Sequence, residues 1–168
     1  LGCDPYITQE SVDDVGVTLV DMDTILAEAD FLSICCPLNE ETRQMIGESE
    51  LKKMKPSAFL INMARGPIID EAALTRALND GTIQGAGLDV FEQEATPDDN
   101  PILKMDNVIV APHAMCWMDQ MFDMQWTSIL ADVGALRRGE MPAGLFNKEV
   151  WDSPRFQKKL ARFLEETR

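Results

Sequence analysis

The sequence predicts an α/β chain built on a parallel sheet with helices on both faces. Three features point there: short apolar segments alternate with helical patterns, those segments are continuously apolar, and Gly, Pro, Asn or Asp residues separate them. Strands that are apolar at every position belong to parallel sheets, because crossover helices cover both faces. The 168 residues are 45% hydrophobic with 9 Pro and 10 Gly, a composition that supports a packed core and argues against disorder.

Taken in order, GVTLV at 16–20 reads as a short buried strand, followed by a helix over 22–29 with Asp21 placed to cap it. DFLSICC at 30–36 is a second strand, stopped by Pro37. A short helix over 48–54 closes before Pro56, and SAFLINM at 57–63 is a third strand. The run 70–81 reads as a helix with Asp70 as N-cap and Gly81 just past its end. GAGLDV at 85–90 and NVIVAP at 107–112 complete the strands. A long helix runs from about Trp117 to Arg138, and another spans 153–166. There is no internal repeat and no low-complexity segment.

Charge and rare residues narrow the function. Fifteen basic residues against 29 acidic ones leave a net charge of −14, which argues against nucleic acid or an anionic membrane as a partner. No apolar run approaches the roughly 18 residues of a membrane span, and no signal peptide is visible. Cys3, Cys35, Cys36 and Cys116 lack the spacing of a metal site. The adjacent pair Cys35–Cys36, inside an apolar run, reads as buried free thiols in a reducing compartment, so a cytoplasmic location is expected. A single histidine and scattered acids supply no ligand set for a metal-dependent lyase.

Parallel sheets gather ligands at the carboxyl ends of their strands. The loops holding Pro37, Arg65, Asp89 and His113 all follow expected strands and should share one rim. Arg65, Glu94 and His113 then form a chemical set. Reducing a 2-oxo acid requires a group that holds the carboxylate and polarises the carbonyl, which an arginine fork does. It also requires a proton donor that works near neutral pH, which histidine provides, and a carboxylate beside that ring favours its protonated form. Taken singly, each has a plainer reading: a solvated arginine, a glutamate in an acidic loop, a satisfied core or loop histidine. Their placement on one rim is what makes them a set.

The stretch from FLSICCPLNEETRQMIGESELKKMKPSAFLINMARGPIIDEAALTRALNDGTIQGAGLDVFEQE to NPILKMDNVIVAPHA resembles the D-isomer-specific 2-hydroxyacid dehydrogenase family, almost unbroken over 4–114. The resemblance implies a Rossmann-like NAD-binding domain and a small 2-hydroxy or 2-oxo acid as substrate. It places the substrate-binding arginine at Arg65, the histidine's glutamate partner at Glu94 and the acid/base histidine at His113. Cofactor contacts fall on Asp4, Cys36, Pro37, Thr42, Ala64 and Asp89: Asp4 at the adenosine ribose, Pro37 and Thr42 in the loop beside it, Asp89 at the nicotinamide carboxamide.

No G-x-G-x-x-G turn precedes Asp4, so the chain is expected to be an N-terminally truncated, C-terminal portion of such an enzyme, poorly active or inactive alone. Residues 1–138 would be a partial NAD-binding domain. Residues 139–168 would be a tail and helix packing on a substrate domain or a partner chain. Without the family's first strand, the 16–20 segment should separate from the other strands and leave 30–36 with an unpaired edge. Met118, Phe122, Trp126, Ile129 and Val133 form a stripe on the long helix, widened by Met115, Trp117, Met121 and Met124. A stripe that wide fits either a wholly internal helix or one covered by another subunit or domain, and a homodimer or higher homo-oligomer is expected. The alternative to an enzyme is a non-catalytic nucleotide-binding or oligomerisation module that keeps the fold.

Overall fold

The computed structural model describes residues 1–166; the last two residues of the expected 139–168 tail lie outside the described residues. Two compact units are present, Leu1–Met115 and a second from Cys116 onward.

The first unit holds a four-stranded parallel sheet, β1 (Phe31–Ile34), β2 (Phe59–Asn62), β3 (Gly85–Leu88) and β4 (Val108–Val110), in the order β1-β2-β3-β4. Three helices belong to it: α1 (Met22–Glu28), α2 (Glu48–Leu51) and α3 (Glu71–Asn79). Leu26 of α1, Leu51 of α2 and Leu74 and Leu78 of α3 form one core with Leu32, Ile34, Leu60 and Leu88 of the sheet. The expected caps are present: Asp21 accepts the Thr24 N–H at 2.7 Å and Asp70 accepts the Ala73 N–H at 2.9 Å. Gly81, with φ +69°, follows α3 in the left-handed conformation glycine adopts without strain.

Two expectations need correction. β1 is not buried on both sides but alternates, with Phe31 69% exposed against Leu32 7%. The two-residue period carries Ser33 and Cys35 to the open side with Phe31, so Cys35 is exposed and Cys36 only half-buried. All four cysteines are free thiols. The strand expected at 16–20 reduces to a single parallel bridge between Gly2 and Leu19. Gly2 bonds the Thr18 carbonyl and the Val20 N–H on one edge of the segment, and on the opposite edge the Gln9 amide donates to the Val17 carbonyl and accepts from the Leu19 N–H, both at 2.8 Å. β1 ends the sheet on that side.

The second unit contains α4 (Asp119–Arg137) and α5 (Pro154–Glu166). α4 ends where Arg138 leads into Gly139 at φ +73°. Its apolar stripe is not internal: Met118, Phe122, Trp126, Ile129 and Val133 are all exposed, and Ala135 is its buried residue. Among the described residues no helix is long and apolar enough to cross a membrane.

Candidate active site

Strand register builds the site. Ile34 pairs with Asn62, Asn62 with Leu88 and Leu88 with Val110, so all four strands end at one level. The loops carrying Pro37, Arg65, Asp89 and His113 therefore leave the sheet side by side, as expected for one rim.

At the end of β2, Asn62 is fully buried and shapes the arginine turn. Its side chain accepts the Ala64 N–H and donates to the Arg65 carbonyl, both at 3.0 Å. Its own carbonyl accepts the Asp89 N–H at 3.0 Å, tying this turn to the next strand's exit. Arg65 is exposed, its Nη1 donates to the Ala64 carbonyl at 2.6 Å, and it forms no ion pair among the described residues. Gly66 then lies directly on the β3 loop: a Cβ there would sit 1.8 Å from the Phe91 carbonyl oxygen. Only glycine permits that approach.

Asp89, at the end of β3, is 5% exposed and organises the histidine loop. Its carbonyl accepts the His113 N–H at 2.8 Å, and its carboxylate accepts the Ala114 N–H at 2.8 Å and the Met115 N–H at 3.1 Å. Three successive backbone donors thus converge on one residue. They hold His113 at φ +54°, a left-handed conformation that is uncommon outside glycine but several-fold enriched for histidine.

His113 Nδ1 lies 2.9 Å from Glu94 Oε2, with both side chains nearly half exposed. An ionised carboxylate can only accept, so Nδ1 carries the hydrogen and Nε2 is the ring nitrogen left for proton exchange. A cavity of about 400 Å³ adjoins the pair, lined by Asp89, Phe91, Leu103, Val110 and Pro112 as well as Glu94 and His113. Its size suits a small ligand. Arg65 does not line it. Its loop follows β2, two strands from β4, which at about 4.8 Å per strand spacing puts the two exits on the order of 10 Å apart. The structure thus brings Glu94 and His113 into contact and sets Arg65 across the rim from them, with Asp89 between.

The residues assigned to the cofactor lie along the same rim. Asp4 is exposed, just after the Gly2–Leu19 bridge, and one carboxylate oxygen accepts the Tyr6 N–H at 2.8 Å. Burial pushes the Cys36 thiol above its usual range. The Thr42 hydroxyl donates to the Pro37 carbonyl at 2.7 Å and accepts the Asn39 N–H at 2.9 Å, which closes the 37–42 loop on itself. The Tyr6 hydroxyl donates to Glu41 of that loop. At the other end, each Asp89 oxygen uses one lone pair on the backbone and keeps another for an amide donor. An exposed carboxylate at one end and a carboxylate with spare acceptor capacity at the other fit an extended dinucleotide such as NAD.

Asn62, Gly66 and the loop-holding role of Asp89 were not legible as site features. The one available signal was a polar Asn closing an otherwise apolar strand. No group of three or more His, Cys, Asp or Glu side chains is placed to hold a metal among the described residues.

The family model described as D-isomer specific 2-hydroxyacid dehydrogenase, NAD binding domain, matches residues 1–114. A glyoxylate reductase of Korarchaeum cryptofilum is 45% identical over 137 residues, covering 82% of this chain and 41% of the relative. A glyoxylate/hydroxypyruvate reductase B of Yersinia pestis is 57% identical over 98 residues, covering 58% of this chain and 30% of the relative. Among solved structures, the NAD-complexed D-isomer specific 2-hydroxyacid dehydrogenase of Lactobacillus delbrueckii ssp. bulgaricus superposes with a TM-score of 0.74 at 35% identity, over 86% of this chain and 47% of that one. The D-lactate dehydrogenase of Aquifex aeolicus complexed with NAD and lactic acid gives a TM-score of 0.72 at 32% identity, over 82% of this chain and 46% of that one. The chain spans less than half the length of these relatives. With its parallel sheet and a match that covers 1–114, the chain belongs to the NAD-binding domain family of the D-isomer specific 2-hydroxyacid dehydrogenases.

Proposed function

We propose that this chain carries the cofactor-binding and proton-transferring part of an NAD-dependent oxidoreductase that interconverts a small 2-oxo acid and its D-2-hydroxy acid. The observation that carries it is the 2.9 Å contact of His113 Nδ1 with Glu94 Oε2, on the rim that also bears Arg65. NAD, when bound, supplies or takes up the hydride. Asp4, Cys36 and the Pro37–Thr42 loop would hold its adenosine end, and Ala64 and Asp89 its nicotinamide end. Arg65 binds the substrate carboxylate through its planar fork and draws charge from the neighbouring carbonyl oxygen. His113 gives that oxygen a proton from Nε2 as the oxo acid is reduced and recovers it in the reverse direction. Glu94 fixes the ring through Nδ1–H and stabilises the imidazolium.

Loss of NADH absorbance with glyoxylate, hydroxypyruvate and pyruvate tests the proposal. In a full-length enzyme that contains this domain at least one acid should turn over, His113→Ala should abolish the reaction, and Arg65→Lys should raise KM, since lysine keeps the charge and loses the fork; the chain alone should turn over poorly or not at all. NADH binding without turnover of any acid would favour the non-catalytic module. Absence of both NADH binding and turnover in that enzyme would contradict the proposal. The apolar side chains exposed along α4 support a separate expectation, self-association to at least a dimer, which light scattering at micromolar concentration decides.

A further inference from the structure

We infer that Glu71, the first residue of α3, is a positioning residue that holds Glu94 against His113; the inference rests on the site proposed above. The loop that carries Glu94 runs from Glu92 to Asn100 without a helix or strand. Glu71 closes it like a clasp. Its Oε2 accepts the Glu92 N–H at 2.8 Å, and its Oε1 accepts the Asn100 side-chain N–H at 2.7 Å. Hydrogen bonds to an ionised carboxylate are about twice as strong as neutral ones.

The clasp sits on firm ground at both ends. Asn100 is oriented by a second bond, its Oδ1 accepting the N–H of the fully buried Ile102 at 3.0 Å. Glu92 follows buried Phe91, whose carbonyl lies where only Gly66 can approach. Between the two anchors the loop's own bonds are local: Thr96 Oγ1 to the Gln93 carbonyl at 3.3 Å, and the Asn100 N–H to the Pro97 carbonyl at 3.0 Å. Neither reaches Glu94. Its side chain meets His113 with the position of its backbone set from the two loop ends, and Glu71 joins those ends to each other. Glu71 also begins the helix that follows the Arg65–Gly66 turn, so one carboxylate references the glutamate loop to the arginine loop.

A simpler role is available, because an acid in the first turn of a helix stabilises that helix through its dipole. Loss of that role would lower stability and leave His113 as it is. The two roles separate in one experiment, since His113 is the chain's single histidine and its ring nitrogens need no assignment. In a ¹⁵N-labelled chain at alkaline pH, a long-range ¹H–¹⁵N spectrum of the neutral ring should show Nδ1 protonated and Nε2 bare. Glu94→Ala should abolish that pattern. Glu71→Ala should also lose most of it while thermal melting remains cooperative. Glu71→Gln should fall between, because one amide oxygen can replace one of the two accepting atoms. Should Glu71→Ala fail to fold, Glu71→Gln decides alone. A wild-type Nδ1–H pattern retained in the folded Glu71 variants would overturn the clasp and leave the site intact. Absence of the pattern in the wild-type chain would overturn the Glu94–His113 contact and the clasp with it.

Discussion

Replacing Gly66 with alanine probes the point where the arginine and glutamate loops touch. The added Cβ would lie 1.8 Å from the Phe91 carbonyl oxygen, 1.9 Å from its carbon and 2.5 Å from the Glu92 nitrogen. All three are backbone atoms, so no side-chain rotation relieves the clash. A carbon–oxygen contact needs about 3.3 Å, so from 1.8 Å one loop must retreat by about 1.5 Å. Asn62 holds the arginine side through Ala64 and Arg65, and Glu71 holds the other through Glu92. The shift is therefore transmitted toward Glu94. Overpacking of this kind costs about 1–3 kcal/mol, and each kcal/mol lowers Tm by roughly 2–4 °C in a chain of this size. Displacement on the order of 1 Å at a positioned catalytic group can cost about 100-fold in rate. Differential scanning calorimetry and the His113 ¹⁵N signature measure the two effects. An unchanged Tm with an intact Nδ1–H pattern would refute the interlock.

Asp89→Asn should leave the Ala114 or the Met115 N–H facing an amide donor, at a cost of about 1–3 kcal/mol for an unsatisfied buried group; faster hydrogen exchange at those two amides would report it, and unchanged exchange would count against Asp89 as holder of the loop. Asp70→Ala removes the α3 cap bonded to the Ala73 N–H at 2.9 Å and should lower stability by about 1 kcal/mol, read by urea denaturation. Cys36 should alkylate more slowly at neutral pH than the exposed Cys35, because burial raises its pKa and only the thiolate attacks. The sign follows: raising the pH should speed Cys36, and a time course in which Cys36 reacts first at neutral pH would contradict its environment.

What the sequence disclosed was local or periodic. The caps at Asp21 and Asp70, the left-handed Gly81 and the strand exits at Pro37, Arg65, Asp89 and His113 each follow from a few adjacent residues. The parallel order then made one rim of those exits without further information. Features set by distant contacts were hidden. Gln9 bonds residues eight and ten positions away, and Glu71 reaches Glu92 and Asn100 across 21 and 29 positions. Cys35 looked buried because its segment is apolar, yet the pleat turns it outward with Phe31. The α4 stripe shows the same limit from the other side: its pattern announces a surface that asks for cover and does not say by what.

The central claim is that a nicotinamide cofactor and a small acid meet at the rim held by Arg65, Asp89 and His113. Titrating the ¹⁵N-labelled chain with NAD and then glycolate tests it most directly, whatever the rate of turnover. The account predicts that the backbone amide signals of Ala64 and Arg65, the Ala114 and Met115 amides bonded to Asp89, and the His113 ring nitrogens move together. It further predicts that the glycolate-dependent part is lost in Arg65→Ala. Signals that stay fixed at saturating ligand, or shifts confined to residues away from this rim, would contradict it.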